Sequence, residues 1–184
     1  MGTGLMVTDG KYKLGSFIEG GTGSNSHDLE QPDELPERFE SGTINTPGAI
    51  ALGAGIDFVN KIGIERIHIH EQRLCEIFTQ EMRKNKNVIL YSSNSKKAND
   101  KSLTVPAVPT VPIVPFNIKG KDSATAANLL SQAGFCLRGG LHCSYFAHKK
   151  MNTLGVGMIR MAPSVFNTKK EIYSLIKAVN KLTD

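Results

Sequence analysis

For residues 64–184 the sequence predicts an α+β fold, a small sheet covered by helices on one face. One observation is the order of predicted elements in this region: helix, strand, strand, helix, strand, strand, helix. Another is composition, because residues 15–36 upstream consist mainly of Gly, Ser, Asn, Asp, Glu and Pro. We therefore predict two parts, with residues 1–63 as the trailing segment of another structure and residues 64–184 as a domain.

The first part contains three predicted elements. Leu5–Thr8 is typical of a short strand, and residues 15–36 predict a long loop. Thr46 is the expected N-cap of a helix with Pro47 as its first residue, since Pro lacks the N–H that a first turn leaves unpaired. Gly63 is expected to end this helix.

The second part opens with a helix and two strands. The apolar stripe of the helix consists of Ile64, Ile67, Leu74, Ile77, Phe78 and Met82. The segment NVILYS, residues 87–92, predicts the first strand. Prolines then recur every three residues, the period of polyproline II, at positions 106, 109, 112 and 115. We expect an extended loop leading into a strand at Ile113–Ile118, which the prolines keep at the sheet edge.

The remaining elements alternate between helix and strand. Asp122 predicts the N-cap of a helix that extends to residue 133. Phe135–Leu137 and the segment GVGMIRMA, residues 155–162, predict two strands. Thr168 and Glu171 predict a capping box at the start of the last helix. The buried stripe of that helix is Ile172, Leu175, Ile176, Val179 and Leu182.

Composition argues against several classes of function. The formal net charge is +5, but the Lys and Arg residues are scattered without an aromatic–basic platform, so we predict no nucleic-acid partner. No apolar run approaches the ~20 residues of a membrane span, and no signal segment opens the chain. Three cysteines without a Cys-x-x-Cys pair fit a reduced compartment. We therefore expect a cytoplasmic protein with no membrane partner.

The segment FCLRGGLHCSYFAHKK, residues 135–150, is the strongest site candidate. It places the Cys143 thiol beside His142, shortly after Arg138 and two glycines. A thiol near cationic groups ionises readily, and a glycine-containing loop gives it reach. This pattern predicts that Cys143 is a mobile nucleophile, and that His142 either tunes the thiol or serves only in packing.

Other interpretations of these cysteines stay open. The alternative for Cys143 is a small buried apolar residue, the role that we expect for Cys75 and Cys136. A zinc site built from Cys136, Cys143, His142 and His148 matches no standard ligand spacing, so we predict no metal site.

Arg160 lies between Ile159 and Met161 in a predicted strand, where an unpaired guanidinium is costly. It either binds a substrate carboxylate through two hydrogen bonds or faces water or a structural Glu. Arg138 either assists with the same anion or braces the glycine loop. The sequence leaves these alternatives open.

Three segments resemble the cysteine desulfurases of the class V aminotransferase superfamily, which are fold-type I pyridoxal-phosphate enzymes. RFESGTINTPGAIALGAGIDF (38–58) is similar to their R-[FY]-E-x-G-T-x-N segment, and LRGGLHC (137–143) to their R-x-G-x-H-C loop. MIRMAPSVFNTKKEI (158–172) resembles their V-R-x-S-x-x-x-[YF]-N-T-x-x-E-[IV] stretch. The resemblance implies that residues 64–184 are the C-terminal small domain, with an antiparallel sheet. It also implies that residues 1–63 are the last part of the large cofactor domain.

The resemblance also implies an activity and a set of roles. The parent enzyme converts L-cysteine to L-alanine and leaves a persulfide, here on Cys143, while Arg160 binds the substrate carboxylate. Gly42 and Thr43 correspond to a pair that binds the cofactor phosphate of the other subunit in a homodimer. A sulfur-acceptor protein is a further expected partner.

The start of the chain bears on whether it is active alone. GTGLMV (2–7) resembles the stretch just after the lysine that forms the Schiff base with pyridoxal phosphate. We therefore expect that lysine to be missing, the chain alone to be inactive, and an N-terminal half to be required. Alternatives are an aminotransferase or selenocysteine lyase of the same superfamily, and a non-catalytic dimerisation or binding module. Pro115 and Ala162-Pro163 depart from the family pattern, which bears on fine specificity.

Overall fold

A computed structural model describes residues 2–12, 14–21, 27–91 and 111–183. The chain separates into two compact units, Met1–Ile62 and Gly63–Asp184. In the described part of the first unit, a 3-10 helix at Glu37–Phe39 precedes helix α1 at Thr46–Ile62. The second unit contains, in order, α2 (Ile64–Met82), β1 (Val88–Leu90), β2 (Val114–Ile118), α3 (Ser123–Gln132), β3 (Arg138–Gly140), α4 (Tyr145–Lys150), β4 (Met158–Met161) and α5 (Lys169–Lys181).

The first unit corrects two sequence predictions. Leu5–Thr8 forms no strand, because the described residues of this unit contain no other strand with which it can pair. Asn45, rather than Thr46, caps α1: its Oδ1 accepts from the Gly48 N–H at 3.1 Å. Gly63 follows the last helical residue with φ of +93°, as expected for a helix-ending glycine.

The second unit is built on a four-stranded antiparallel sheet in the order β1-β2-β4-β3. β2 is therefore an inner strand, and the prediction that its prolines keep it at an edge is wrong. Pro115 is tolerated because its carbonyl accepts from the Tyr91 N–H (3.0 Å) just past the end of β1. There the missing N–H interrupts no bond to β4. Pro106 and Pro109 lie outside the described residues.

The core lies between one face of the sheet and the apolar sides of α2, α3 and α5. Ile159 and Met161 point into this core, as do Phe116 and Phe78, whose rings are 5.1 Å apart. Because side chains alternate along a strand, Met158 and Arg160 point to the opposite face of the sheet. The predicted α+β fold is confirmed, and the site residues of β4 lie on the face away from the helical core.

The N-caps of α3 and α5 agree with the sequence. Asp122 accepts from the Ala124 and Thr125 N–H groups at 3.0 and 2.9 Å, and Thr168 and Glu171 form the predicted capping box. The four predicted apolar residues of α5 from Ile172 to Val179 are buried, which confirms its stripe. Among the described helices, none is long and apolar enough to cross a membrane.

The segment around the candidate thiol differs from the prediction. The strand is not Phe135–Leu137 but Arg138–Gly140, so the Arg-Gly-Gly motif is itself part of the sheet. The close approach of Gly139 to the backbone of Ser123 in α3 explains this placement. Helix α4, which follows the thiol, was not predicted from the sequence.

Candidate active site

Two arginines lie opposite each other on neighbouring strands of the sheet. Arg138 of β3 is the direct cross-strand partner of Arg160 of β4, so both side chains lie on the same face. Arg160 is half-buried and Arg138 is exposed. Within the described ranges, neither guanidinium forms an ion pair with a carboxylate. Two like charges in this arrangement repel each other, and an anion bound between them would offset that repulsion.

The Cys143 loop follows β3 directly and has an unusual backbone. His142 and Cys143 have φ values of +51° and +59°, which lie in the left-handed region that is unfavourable for residues other than glycine. Cys143 is exposed, and α4 begins two residues later at Tyr145. Consecutive residues in the left-handed region are uncommon outside functional loops, and the site role of Cys143 stays a prediction.

His142 ties this loop to β4. Its Nε2 is 2.9 Å from the Met158 carbonyl, which only accepts, so the ring proton lies on Nε2. Burial lowers the pKa of His142, and the charges of Arg160 and Arg138 and the nearby His148 lower it further, against the bond to Met158. The ring is therefore neutral at physiological pH. Its Nδ1 is buried and has no hydrogen-bond partner among the described residues.

The other cysteines behave differently from each other. Cys75 is buried in α2, as predicted, and burial raises the pKa of its thiol to about 12, with Glu71 and Glu76 adding to the effect. Cys136 is exposed, and the prediction that it is buried is wrong because it lies before β3 rather than within a strand. Throughout the described ranges, no three His, Cys, Asp or Glu side chains are grouped to hold a metal.

Gly42 and Thr43 lie in the first unit, just before α1. Gly42 has φ of +74°, and its N–H donates to the Gly21 carbonyl at 2.8 Å, so that N–H is not available to a phosphate. Thr43 is exposed and lies just before α1, where its hydroxyl suits an anion; the first N–H groups of that helix already donate to Ile44 and Asn45. Of the two predicted phosphate ligands, Thr43 fits the group and the Gly42 N–H does not.

Asn117 of β2 is a site-supporting residue that the sequence analysis missed. It is 4% exposed; its Nδ2 donates to the Gly157 carbonyl (2.8 Å), and its Oδ1 accepts from the Ile159 N–H (3.3 Å). A polar residue between Phe116 and Ile118 in a buried strand was the available signal, because such residues persist only when hydrogen-bonded.

The small antiparallel sheet and its helical layer are found in known proteins. A family model described as aminotransferase class-V matches residues 2–175. The chain therefore belongs to the class-V aminotransferase family, which confirms the resemblance at this level.

Within that family the chain is similar to cysteine desulfurases. It is 32% identical over 151 residues to the cysteine desulfurase of Wigglesworthia glossinidia brevipalpis, covering 82% of this chain. It is 30% identical over 189 residues to a probable cysteine desulfurase of Methanothermobacter thermautotrophicus, covering 99% of this chain. The chain spans 33% and 44% of the lengths of these relatives, and it corresponds to their C-terminal portion.

Solved structures give the same result. The apo cysteine desulfurase of Thermococcus onnurineus superposes with a TM-score of 0.66 at 29% identity, covering 80% of this chain and 34% of that one. A NifS-like protein of Rickettsia africae, at 20% identity, shares the fold with a TM-score of 0.64. That superposition covers 93% of this chain and 40% of the Rickettsia chain.

Proposed function

We propose that this chain is the C-terminal part of a pyridoxal-phosphate-dependent cysteine desulfurase and that Cys143 accepts the sulfur. The observation that carries the proposal is the pair of opposed arginines, Arg138 and Arg160, which have no ion-pair partner among the described residues and lie beside the exposed thiol loop. Two guanidiniums on one face suit a substrate carboxylate, and a thiol on an adjoining loop suits attack on the substrate side chain. The family and the named relatives support the same class of reaction.

The sulfur transfer assigns each group one task. Arg160, with Arg138 beside it, binds the α-carboxylate of L-cysteine. The Cys143 thiolate attacks the substrate sulfur; a sulfur–sulfur bond forms as the carbon–sulfur bond breaks. The electron pair of the broken bond stays on the substrate carbon, which takes up a proton and becomes the methyl group of L-alanine. Cys143 is left as a persulfide that a sulfur-acceptor protein can take up.

Pyridoxal phosphate, when bound, supplies the electron sink that makes the carbon–sulfur bond breakable. In this chain the Thr43 hydroxyl is the group that fits the cofactor phosphate, and we propose that it serves the other subunit of a homodimer. The chain spans about a third of the length of three of the cysteine desulfurases that it matches. We therefore propose that turnover requires an upstream segment and that the chain alone is inactive.

The test compares the chain alone with the chain mixed with the upstream two-thirds of the Wigglesworthia relative. Pyridoxal phosphate and L-cysteine are added, and alanine and sulfide are measured under reducing conditions. We expect neither product from the chain alone, and both in equal amounts from the mixture. Cys143→Ala should abolish both, whereas Cys136→Ser, a change in an exposed thiol outside the loop, should not. Sulfide release by the chain alone contradicts the need for an upstream segment.

The same assay separates the other members of the superfamily. Transamination needs no thiol, so a mixture that converts amino acids equally well after Cys143→Ala is an aminotransferase. Selenide release from selenocysteine that survives this change, while sulfide release is lost, indicates a selenocysteine lyase.

A non-catalytic binding module is the second candidate, and α1 is the observation that favours it. None of its residues is buried, and Ile50 and Ile56 are 70% and 44% exposed, which suits a helix that packs against another surface. This candidate predicts a stable complex with the upstream fragment that is insensitive to Cys143→Ala and Arg160→Ala, with no turnover.

A further inference from the structure

Side chains form hydrogen bonds to the start of β4, around its first residue Met158, from both neighbouring sides of the strand. Successive residues of a strand direct their backbone groups to opposite neighbours. Towards β2, the Asn117 amide bonds the Gly157 carbonyl (2.8 Å) and the Ile159 N–H (3.3 Å). Towards β3, the Met158 carbonyl accepts from His142 Nε2 at 2.9 Å. Two side chains thus supplement the backbone pairing of Met158 and Ile159 at this strand end.

These bonds begin where the sheet ladders stop. Asn117 lies one residue beyond the Phe116–Ile159 pair, and His142 lies two residues beyond the Gly140–Met158 pair. The thiol loop consists of residues 141–144. Among the described residues, one side-chain hydrogen bond joins it to β4, and His142 donates that bond. The position of the thiol loop relative to β4 therefore depends on this ring.

We propose that His142 is the positioning residue for Cys143. Its Nε2–H bond to Met158 holds the thiol loop at the end of the strand that carries Arg160, and Asn117 fixes that strand end from the other side. The role deepens the proposed function, on which it rests, because it keeps the sulfur acceptor at a set distance from the groups that bind the substrate carboxylate.

The left-handed backbone explains why such a bond is needed. His142 and Cys143 both adopt φ values that are unfavourable for their side chains, so the loop relaxes to another conformation unless something holds it. The ring makes its one hydrogen bond through Nε2, since Nδ1 has no partner in the described part of the chain. The donor nitrogen is therefore the atom that does the positioning.

Two variants separate the nitrogens. The amide nitrogen of His142→Gln reaches the position of Nε2 and keeps a donor for Met158. The shorter amide of His142→Asn reaches only the position of Nδ1 and loses that donor. A positioning role through Nε2 predicts that Gln substitutes for His and that Asn does not.

The experiment measures the electrostatic potential at the Cys143 thiolate. Iodoacetate and iodoacetamide both alkylate the thiolate, so the ratio of their rates at Cys143 is independent of how much thiolate is present and reports local charge. Trypsin cuts after Arg138 and Lys149, so Cys143 falls in its own peptide, separate from Cys136. Blocked cysteine gives the reference ratio for a thiol with no charged neighbours.

For the wild-type chain at low ionic strength we expect a ratio about three- to fivefold above that of blocked cysteine, falling with added salt. His142→Gln should stay within twofold of the wild type, and His142→Asn should fall to the reference. A wild-type ratio equal to the reference, an unchanged ratio in His142→Asn, or an equal loss in both variants overturns the proposal.

A second measurement needs no variant. Long-range proton–nitrogen NMR of the imidazole should find the neutral His142 ring with its proton on Nε2; a proton on Nδ1 overturns the proposal. Neither readout uses pyridoxal phosphate or L-cysteine. Loss of the positioning role and failure of the proposed sulfur transfer are therefore seen in different experiments.

Discussion

Gly139→Ala tests how β3, and with it Arg138, is seated on α3. A Cβ added at Gly139 meets the Ser123 carbonyl group, with the carbonyl carbon at 2.6 Å and the Ala124 Cα at 3.1 Å. These are backbone atoms, so no rotamer change relieves the overlap. Overpacking of this kind costs about 1–3 kcal/mol, whereas replacing Gly by Ala gains about 0.4–1 kcal/mol by restricting the unfolded chain. The cost of the clash exceeds this gain, and the net loss is about 1–2 kcal/mol.

Gly155→Ala is the matched control. Gly155 belongs to the same unit, has no atom within 4 Å of the added Cβ, and has no left-handed φ. Only the gain from the unfolded chain applies there. In urea unfolding, Gly139→Ala should lower the midpoint by about 1 M and Gly155→Ala should leave it equal or raise it. A Gly139→Ala midpoint at or above that of the wild type refutes the packing of β3 on α3.

Further predictions concern charge and the cofactor. Since burial raises the pKa of Cys75 from 9.0 to about 12, the folded state holds this proton more tightly. The free energy of unfolding should therefore fall between pH 9 and 12 more steeply in the wild type than in Cys75→Ala. A parallel pH dependence contradicts the burial of this thiol. Arg138→Gln removes one of two opposed like charges, so it should raise the free energy of unfolding by ~0.2–1 kcal/mol at low salt, a gain that added salt reduces. Urea midpoints measured at several salt concentrations check this prediction. No gain means that the guanidiniums do not face each other. Borohydride reduction after incubation with pyridoxal phosphate should give no stoichiometric adduct at a single lysine, and one site-specific adduct on the peptide map contradicts the need for an upstream segment.

Local signals in the sequence were sufficient for the N-terminal ends of α3 and α5. The Asp122 cap and the capping box of Thr168 and Glu171 depend only on residues within four positions of each other. The apolar period of α5 likewise identified its buried side, because packing and local preference agree in that helix.

The pairing between distant segments could not be predicted from the sequence. The placement of Arg138 opposite Arg160 depends on which residues of β3 enter the sheet, and Gly139 enters it because α3 leaves no room for a side chain. The predicted edge position of β2 was wrong because the effect of Pro115 depends on where β1 ends. Asn117 carries no recognisable motif, and its role is visible only once β4 lies beside it.

The destination of the transferred sulfur atom decides whether Cys143 is the sulfur acceptor. The chain, mixed with the upstream fragment of the relative, pyridoxal phosphate and L-cysteine, is quenched with iodoacetamide without reductant and digested with trypsin. We expect one added sulfur atom on the alkylated peptide 139–149, which contains Cys143, and none on peptide 122–138, which contains Cys136. Alanine formed in the same reaction with no sulfur on peptide 139–149, or with the sulfur on the Cys136 peptide, contradicts the assignment of Cys143 as the sulfur acceptor.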